Sequence, residues 1–197
     1  MALVYEYHVF ISYQRSSPTV PAWVRNHFYP RLRELLDDLV DYEVKIFLDD
    51  QVPVGGEWPK VAREALRRTR ILIPVCSPKY FIDEWCMAEW RSMAKREELA
   101  GLTTVEMPGR LIYPVIFSDS QNFPDFAHER KMWSLKSWNL HYPQYQDTPE
   151  YLDFHREMER VVEDLVEVIS LAPPWRPEWP VETAAPAQPK TSKLPRF

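Results

Sequence analysis

Trp85 and Glu89 are the two residues whose types and spacing first indicate chemistry. They lie four positions apart in the segment WCMAEW, so on a helix they share one face about one turn from each other. An indole beside a carboxylate is unusual in a protein core, whereas it suits a flat, cationic, ribose-bearing ligand. The pattern indicates the wall of a ligand pocket. The competing interpretation is a solvated helix carboxylate next to a buried indole.

The elements that would position this pair follow from the hydrophobic pattern. Strands are predicted at 8–13, 43–48, 71–76, 111–117 and 133–138, and helices at 21–39, 58–68, 77–99 and from 149 onward. Pro30 predicts a kink or a restart in the first helix. Leu39 is one of the apolar positions that define this helix, and Val61 is assigned to the inner face of the second helix. Strands that alternate with helices predict an α/β protein, a flavodoxin-like three-layer sandwich with a central, mostly parallel five-stranded sheet.

Three loops converge at one edge of such a sheet, because ligand sites of these folds lie beyond the carboxyl ends of the strands. These loops are 14–17, 49–57 and 77–84. Trp85 and Glu89 come directly after the third loop, so the topology places them at this edge. Asp49 in the second loop has two interpretations, as a contact that polarises a ligand or as a residue that shapes the turn.

Composition and charge narrow the functional classes. The formal net charge of -5 argues against a general nucleic-acid binder. With Cys76 and Cys86 as the two cysteines, no disulfide framework is expected. No apolar run reaches the roughly 18 residues of a membrane span, the histidines lack metal-ligand spacing, and no glycine-rich phosphate loop occurs. We therefore expect a cytoplasmic protein that needs no metal and contacts neither membrane nor nucleic acid.

The chain divides into two parts by composition. Residues 1–172 suit one globular domain, whereas residues 173–197 are rich in proline and show little periodicity. We expect this second part to be an extended or disordered tail that is dispensable for folding. Trp175 and Trp179 are the two tail residues that could pack back onto the domain.

Three segments, in this order, resemble the Toll/interleukin-1 receptor (TIR) domain family. HVFISYQR resembles the first-strand box of the family, and VKIFLDDQVPVGGEW resembles its second strand and BB loop. ILIPVCSPKYFIDEWCMAEW resembles its third strand and the helix that carries the W-C-x-x-E pattern. The resemblance covers about residues 5 to 170.

The resemblance implies an enzyme of the bacterial NAD-cleaving type. The family's catalytic glutamate falls on Glu89, and the aromatic residue that packs against the dinucleotide falls on Trp85. Trp58 stands where related hydrolases carry an aromatic residue just after the BB loop. The remaining predicted substrate contacts are Tyr13, Gln14, Arg15 and Asp49. NAD+ is then the substrate, so no separate cofactor is expected.

A single carboxylate is compatible with this chemistry. Ordinary glycosidases use a second carboxyl group to protonate the leaving group, but the nicotinamide of NAD+ is already a pyridinium and departs neutral. The carboxylate would stabilise an oxocarbenium-like ribose, while an indole stacks on a ring and Arg15 meets the diphosphate. The product is left open between ADP-ribose, a cyclic ADP-ribose and a conjugated form.

The resemblance also implies assembly, since TIR hydrolases complete the pocket with the BB loop of a neighbour. The residues of that loop here are Val52, Pro53, Gly55 and Gly56, and the paired glycines let it change conformation cheaply. We expect self-association through TIR–TIR contacts, a sensor or effector protein as a further partner, and a role in bacterial anti-phage immunity. The alternative is a non-catalytic TIR adaptor that signals through contacts of residues 49–58, which would need no glutamate at position 89.

Overall fold

A five-stranded parallel sheet forms the centre of the computed structural model, which describes residues 4–48, 58–103 and 110–184. The strands are β1 (Tyr7–Tyr13), β2 (Ile46–Phe47), β3 (Thr69–Cys76), β4 (Val115–Ile116) and β5 (Trp133–Ser134), in the order β2-β1-β3-β4-β5. The helices are α1 (Thr19–Trp23), α2 (Tyr29–Leu39), α3 (Trp58–Arg67), α4 (Glu84–Leu99), α5 (Asp125–His128) and α6 (Glu150–Ser170).

The connections between the strands place helices on both faces of the sheet. The step from β1 to β2 runs in one direction across the sheet, and the later steps run in the other. Right-handed crossovers therefore put α1 and α2 on one face and α3, α4 and α5 on the opposite face. Helix α6 packs against α2. The predicted three-layer α/β sandwich with a five-stranded sheet is confirmed, and every described strand pair is parallel.

The two central strands determine where the functional edge lies. β1 and β3 pair from Tyr7 beside Thr69 to Tyr13 beside Val75. Most of their side chains are buried, including those that point to opposite faces, because helices cover both faces of the sheet. The two strands end almost level, so the loops that follow them emerge side by side.

Pro30 produces the restart that the sequence predicts. A π-helical turn spans Val24–Phe28 and ends where the backbone N–H of Tyr29 bonds to the carbonyl of Val24; α2 then begins with Pro30 in its first turn. Proline has no N–H and its ring clashes with the carbonyl four residues earlier in a regular α-helix. The wider π turn removes this conflict.

Three strands are shorter than predicted. The runs 43–48, 111–117 and 133–138 contain only the two-residue strands β2, β4 and β5. In the fourth run Pro114 cannot donate to the ladder, and a separate bridge joins Leu72 to Ile112. The fifth run turns into a 3-10 helix at Lys136–Trp138.

Two apolar residues of the predicted helices are exposed. Leu39 is 52% exposed and Val61 is 38% exposed, so the assignment of Val61 to an inner helix face was wrong. Leu39 is the last residue of α2. The buried stripe of α3 consists of Ala62, Ala65 and Leu66, and Val61 precedes this stripe by one position, which rotates it about 100° to the side.

Two fully buried charged residues hold the second half of α4 in place. Arg96 donates from Nη1 to the carbonyl of Thr69 at 2.8 Å, and burial lowers the pKa of its guanidinium to about 10. Glu97 accepts the backbone N–H of Leu111 at 2.8 Å and pairs with Nη2 of Arg130 at 2.5 Å. Buried charges are stable only with such partners, so these contacts fix α4 against β3 and against the chain that enters β4.

Residues 173–184, here called the C-terminal strap, pack against α4. The Trp179 side chain is 2% exposed, and its ring lies 5.4 Å from the guanidinium carbon of Arg96. The indole of Trp175 donates to a carbonyl of α3 at 3.1 Å, and the N–H of Glu182 donates to Ser92 Oγ at 2.8 Å. The expected disorder from residue 173 onward does not apply to this strap, because two tryptophans offer more apolar area than the proline-rich composition suggests. Residues 185–197 lie outside the described residues.

Deleting the C-terminal strap is expected to destabilise the protein. Loss of a buried tryptophan side chain typically costs roughly 3–5 kcal/mol, which for a domain of this size lowers the Tm by roughly 6–20 °C. A chain that ends at Ala172 should therefore melt well below the full chain when unfolding is followed by circular dichroism. A chain that ends at Ala184 keeps the strap and is the matched control. Equal melting temperatures for the two shortened chains would contradict a stabilising strap.

Candidate active site

Glu89 lies in the second turn of α4, at the carboxyl edge of the sheet. Its side chain is only 8% exposed. The helix begins one turn earlier, where the carboxylate of Asp83 accepts the backbone N–H groups of Trp85 and Cys86, each at 3.0 Å. Such an N-cap satisfies donors that the first turn leaves unpaired. The cap therefore fixes the first residue of α4. It thereby also fixes the position of Glu89 at the carboxyl edge of the sheet.

A hydroxyl and a guanidinium from the first strand and its loop meet the Glu89 carboxylate. Ser12 in β1 donates from Oγ to Oε2 of Glu89 at 2.5 Å, and Nη2 of Arg15 lies 4.0 Å from Oε1. The Tyr80 hydroxyl lies 2.9 Å from Ser12 Oγ and donates to the carbonyl of Cys86 at 3.3 Å. A nearly buried carboxylate is stable here because it is hydrogen-bonded and faces a cation.

Two further titratable groups near this carboxylate, the Tyr80 hydroxyl and the Cys86 thiol, are held neutral. Burial raises the pKa of the Tyr80 hydroxyl well above its usual range, and the negative charge of Glu89 adds to the effect. Burial, followed by the charge of Glu89, likewise raises the pKa of the Cys86 thiol. Neither group ionises at neutral pH, so Cys86 is no thiolate nucleophile and Tyr80 remains a hydrogen-bond donor.

The family follows from a match along most of the chain. Residues 9–166 match the model of the TIR domain. The chain belongs to the TIR domain family. This family includes members that cleave NAD+ and members that act as scaffolds, so membership alone does not assign an activity.

Two solved structures are similar to this TIR domain. One is the TIR domain of the Toll-related receptor TRR-2 from Hydra magnipapillata, at 18% identity and a TM-score of 0.47, covering 77% of this chain and 98% of that chain. The other is the set of TIR domains in the activated Roq1 resistosome that recognises the effector XopQ, at 17% identity and a TM-score of 0.39. That likeness covers 83% of this chain and 95% of the other.

The structure brings the predicted residues of the first loop and of α4 to one edge of the TIR domain. Arg15 stands beside Glu89, with 35% of its side chain exposed. Trp85 lies one turn before Glu89 on α4 and is half-buried. These three residues are the ones whose placement agrees most directly with a ligand-binding edge. Their roles toward a substrate stay predictions.

Tyr13 and Gln14 lie at the same edge, but their side chains contact other residues of the protein. Tyr13 is 3% exposed and belongs to the core at the end of β1. Gln14 is 4% exposed; its side-chain oxygen accepts the N–H of Ser17 at 2.8 Å and its amide nitrogen donates to Ser16 Oγ. In this arrangement Gln14 shapes the loop from which Arg15 projects.

The second predicted loop is not part of the described chain. Asp49, Val52, Pro53, Gly55 and Gly56 lie outside the described residues, and of Trp58 only the backbone, as the first residue of α3, is described. Among residues 4–48, 58–103 and 110–184, no group of three or more His, Cys, Asp or Glu residues is placed to hold a metal ion. No helix within these ranges is both long and apolar enough to cross a bilayer.

Sequence reasoning missed Ser12, Ser77 and Tyr80. Ser12 is a hydroxyl inside an otherwise apolar buried strand, and this is a usable signal because a buried polar group needs a partner. The hydroxyl of Ser77, directly after β3, is buried without a hydrogen-bond partner among the described residues. It is therefore a polar group at this edge that a ligand or water can satisfy. For Tyr80 the sequence holds no signal, since its partner is 68 residues away.

Cys86 is expected to resist thiol reagents in the folded protein, although it neighbours the charged edge. Both Cys76 and Cys86 are buried, and a raised pKa leaves little reactive thiolate. Ellman's reagent at mildly alkaline pH should label neither thiol in native protein and both thiols in guanidinium-denatured protein. Rapid, stoichiometric labelling of the native protein would contradict the burial of this edge.

Proposed function

We propose that this TIR domain cleaves the nicotinamide–ribose bond of NAD+, with Glu89 as the catalytic carboxylate. The products are nicotinamide and ADP-ribose, or a cyclic or conjugated form of ADP-ribose. The observation that carries the proposal is the placement of Glu89. Ser12 and Arg15 hold its carboxylate at the ligand edge of the sheet, in surroundings from which most water is excluded.

The proposed reaction needs one carboxylate from the protein. The bond between ribose C1′ and the pyridinium nitrogen breaks, and both bonding electrons leave with nicotinamide, which departs neutral without a proton. Positive charge develops on the ribose, and the Glu89 carboxylate stabilises it most strongly where little water screens the interaction. Water then attacks C1′ and releases its proton to solvent. In a cyclisation, a nucleophilic atom of the ADP-ribose itself attacks instead.

Arg15 has a second role in this proposal. Its guanidinium faces Glu89 at 4.0 Å, and the side chain is exposed enough to turn outward. The diphosphate of NAD+ is a more highly charged partner with several acceptor oxygens, which suits a guanidinium. Arg15 would therefore turn to the diphosphate and leave the Glu89 carboxylate to the ribose hydroxyls.

Aromatic stacking completes the proposed binding mode. Trp85 lies on the same face of α4 as Glu89 and keeps part of its surface exposed, so its ring can stack on a base or on the charged nicotinamide. Trp58 and Asp49 are proposed contacts from the second loop and the start of α3. Tyr13 and Gln14 support the loop that presents Arg15. NAD+ is the substrate, and the proposal includes no separate cofactor or metal.

Self-association is part of the proposed function. Val52, Pro53, Gly55 and Gly56 would carry the loop that completes the pocket of a neighbouring copy. We place this activity in the cytoplasm, in bacterial anti-phage defence, under the control of a sensor or effector protein. Contacts with membranes or nucleic acids have no part in it.

One observation also favours a scaffold without activity. Glu89 is nearly buried and faces Arg15, and such a pair can serve structure alone. A non-catalytic TIR adaptor would use the pair to fix the first loop against α4. This second function predicts that Glu89 matters for folding and has no effect on NAD+.

Replacing Glu89 by Gln separates the two functions. The amide oxygen still accepts the hydrogen bond of Ser12, so Glu89→Gln should fold and melt close to the wild-type temperature. Without the negative charge, the rate of NAD+ cleavage should fall roughly a hundredfold or more, equivalent to about 3 kcal/mol of transition-state stabilisation. The measurement is nicotinamide release, resolved by chromatography from concentrated protein.

Glu84→Gln is the matched control for this experiment. Glu84 is an exposed carboxylate in the first turn of the same helix, so its replacement should leave the rate unchanged. If Glu89→Gln is folded and cleaves NAD+ as fast as the wild type, Glu89 is not catalytic. If wild-type protein releases no nicotinamide at any concentration while Glu89→Gln unfolds, the scaffold function is favoured.

Activity should depend on protein concentration. If a neighbouring copy supplies residues 52–57 to each pocket, a dilute monomer has an incomplete site and little activity. Nicotinamide release per mole of protein should then rise with concentration or on addition of a crowding agent, in parallel with assembly measured by light scattering. A specific activity that stays constant from the dilute monomer to the assembled protein would contradict the shared pocket.

A further inference from the structure

We propose that Ser12 and Tyr80 are positioning residues for Glu89. Together they form a buried chain of hydroxyl groups that donates to the carboxylate and holds it charged and in one orientation. The effect on catalysis rests on the proposed function. The hydrogen-bond chain itself belongs to the fold and can be tested without any activity.

The direction of the chain follows from counting protons. A serine hydroxyl has one proton, and Ser12 donates it to Oε2 of Glu89 at 2.5 Å. The contact of 2.9 Å between Ser12 Oγ and the Tyr80 hydroxyl therefore needs the tyrosine as donor. Tyr80 shares its single proton between Ser12 and the carbonyl of Cys86, which lies farther away at 3.3 Å. Two successive O–H bonds thus point toward the carboxylate.

Burial makes this chain strong. Ser12 is 1% exposed and Tyr80 is fully buried, so bulk water does not compete for either hydroxyl. Hydrogen bonds to a charged acceptor are stronger than neutral ones, and in a low-dielectric interior successive bonds polarise one another. The Tyr80 bond therefore strengthens the bond that Ser12 makes to Glu89.

Both hydroxyls are attached to rigid parts of the fold. Ser12 lies in β1 and pairs in register with Pro74 of β3, so it has the fixed position of a central strand. The Tyr80 ring packs edge-on against Phe81 at 5.3 Å and against Trp90 at 6.4 Å. The chain of hydroxyl groups thus links the carboxylate of Glu89 to the sheet through Ser12, and to helix α4 through Tyr80.

Tyr80 can donate over the whole working pH range. Burial is the largest cause that raises the pKa of its hydroxyl, and the negative charge of Glu89 adds to it. Arg15 lies beside Glu89, and Asp83, Cys76 and Cys86 are further titratable groups that act on this cluster. Burial keeps the Cys86 thiol neutral, and the Asp83 carboxylate is engaged as the cap of α4. The acid-range titration of Glu89 is identified by its loss in Glu89→Gln.

The test compares Tyr80→Phe and Ser12→Ala with the wild type and with Tyr113→Phe. Tyr113 is another buried tyrosine; its hydroxyl donates to the carbonyl of Val161 at 3.4 Å, remote from Glu89 in sequence and contacts. Tyr80→Phe should lower kcat for NAD+ cleavage roughly tenfold, about the worth of one hydrogen bond. Ser12→Ala removes the direct donor and should lower kcat further. KM should change little, and Tyr113→Phe should leave both constants unchanged.

The pH profile separates positioning from a general loss of structure. An ionised carboxylate that loses a hydrogen-bond donor is protonated more easily, so the acid limb of the kcat profile should move to higher pH in Tyr80→Phe and further in Ser12→Ala. A lower kcat with an unshifted acid limb in both folded variants would overturn the proposal. Folding is checked by circular dichroism, and Ser12→Ala, which adds no volume, provides the second variant if Tyr80→Phe unfolds.

An NMR titration distinguishes failure of this proposal from failure of the proposed function. With carboxyl-labelled glutamate, the signal that disappears in Glu89→Gln belongs to Glu89. Its titration midpoint should move to higher pH in Tyr80→Phe and Ser12→Ala but not in Tyr113→Phe. If wild-type protein does not cleave NAD+ but the Glu89 midpoint moves in Tyr80→Phe and Ser12→Ala, the hydroxyl chain is supported and the proposed NAD+ cleavage is wrong. If NAD+ is cleaved and neither the midpoint nor the acid limb moves, the chain has no such role.

Discussion

The cost of removing charge from water is the constraint on which this structure depends most. Helix α4 carries Glu89, Arg96 and Glu97 into the interior, and each such charge costs several kcal/mol unless hydrogen bonds and opposite charges compensate it. The partners come from different parts of the sequence: β1 and its loop, the carbonyl groups around the start of β3, the segment that enters β4, and Arg130 between α5 and β5. Together these contacts constrain where α4 can pack.

This placement links the candidate site to parts of the protein that are remote in sequence. Glu89 is oriented from the sheet, whereas Arg96 lies under Trp179 of the C-terminal strap and Ser92 accepts a hydrogen bond from Glu182. The C-terminal strap and helix α4 therefore stabilise each other through these contacts. A disturbance at one end of α4 has to break buried polar contacts before it can move the helix, and this keeps the carboxylate at a defined place on the edge.

The sequence predicted the arrangement of the strands and helices, but it did not predict the lengths of the outer strands or the packing of the C-terminal strap. The apolar runs at β1 and β3, with helical patterns between strands, are enough to predict a parallel sheet with helices on both faces, because covered strands lose their polar alternation. The lengths of β2, β4 and β5 were not predictable, since regular pairing at the outer strands depends on the neighbouring chain and on interruptions such as Pro114. The strap was missed because composition averages over residues, whereas one well-placed indole, Trp179, is enough to order a segment.

For the site, the sequence by itself determined that Trp85 and Glu89 share a helix face and that this face lies at the carboxyl edge of the sheet. Both conclusions follow from local periodicity and from the order of strands and helices. Only the tertiary structure decided that Ser12 and Arg15 meet the Glu89 carboxylate and that the hydroxyls of Tyr80 and Ser12 are hydrogen-bonded to each other. Ser12 and Glu89 are 77 residues apart in the chain. Their contact depends on the height at which α4 packs on β1, and that height is set by the summed packing of the core rather than by any local pattern.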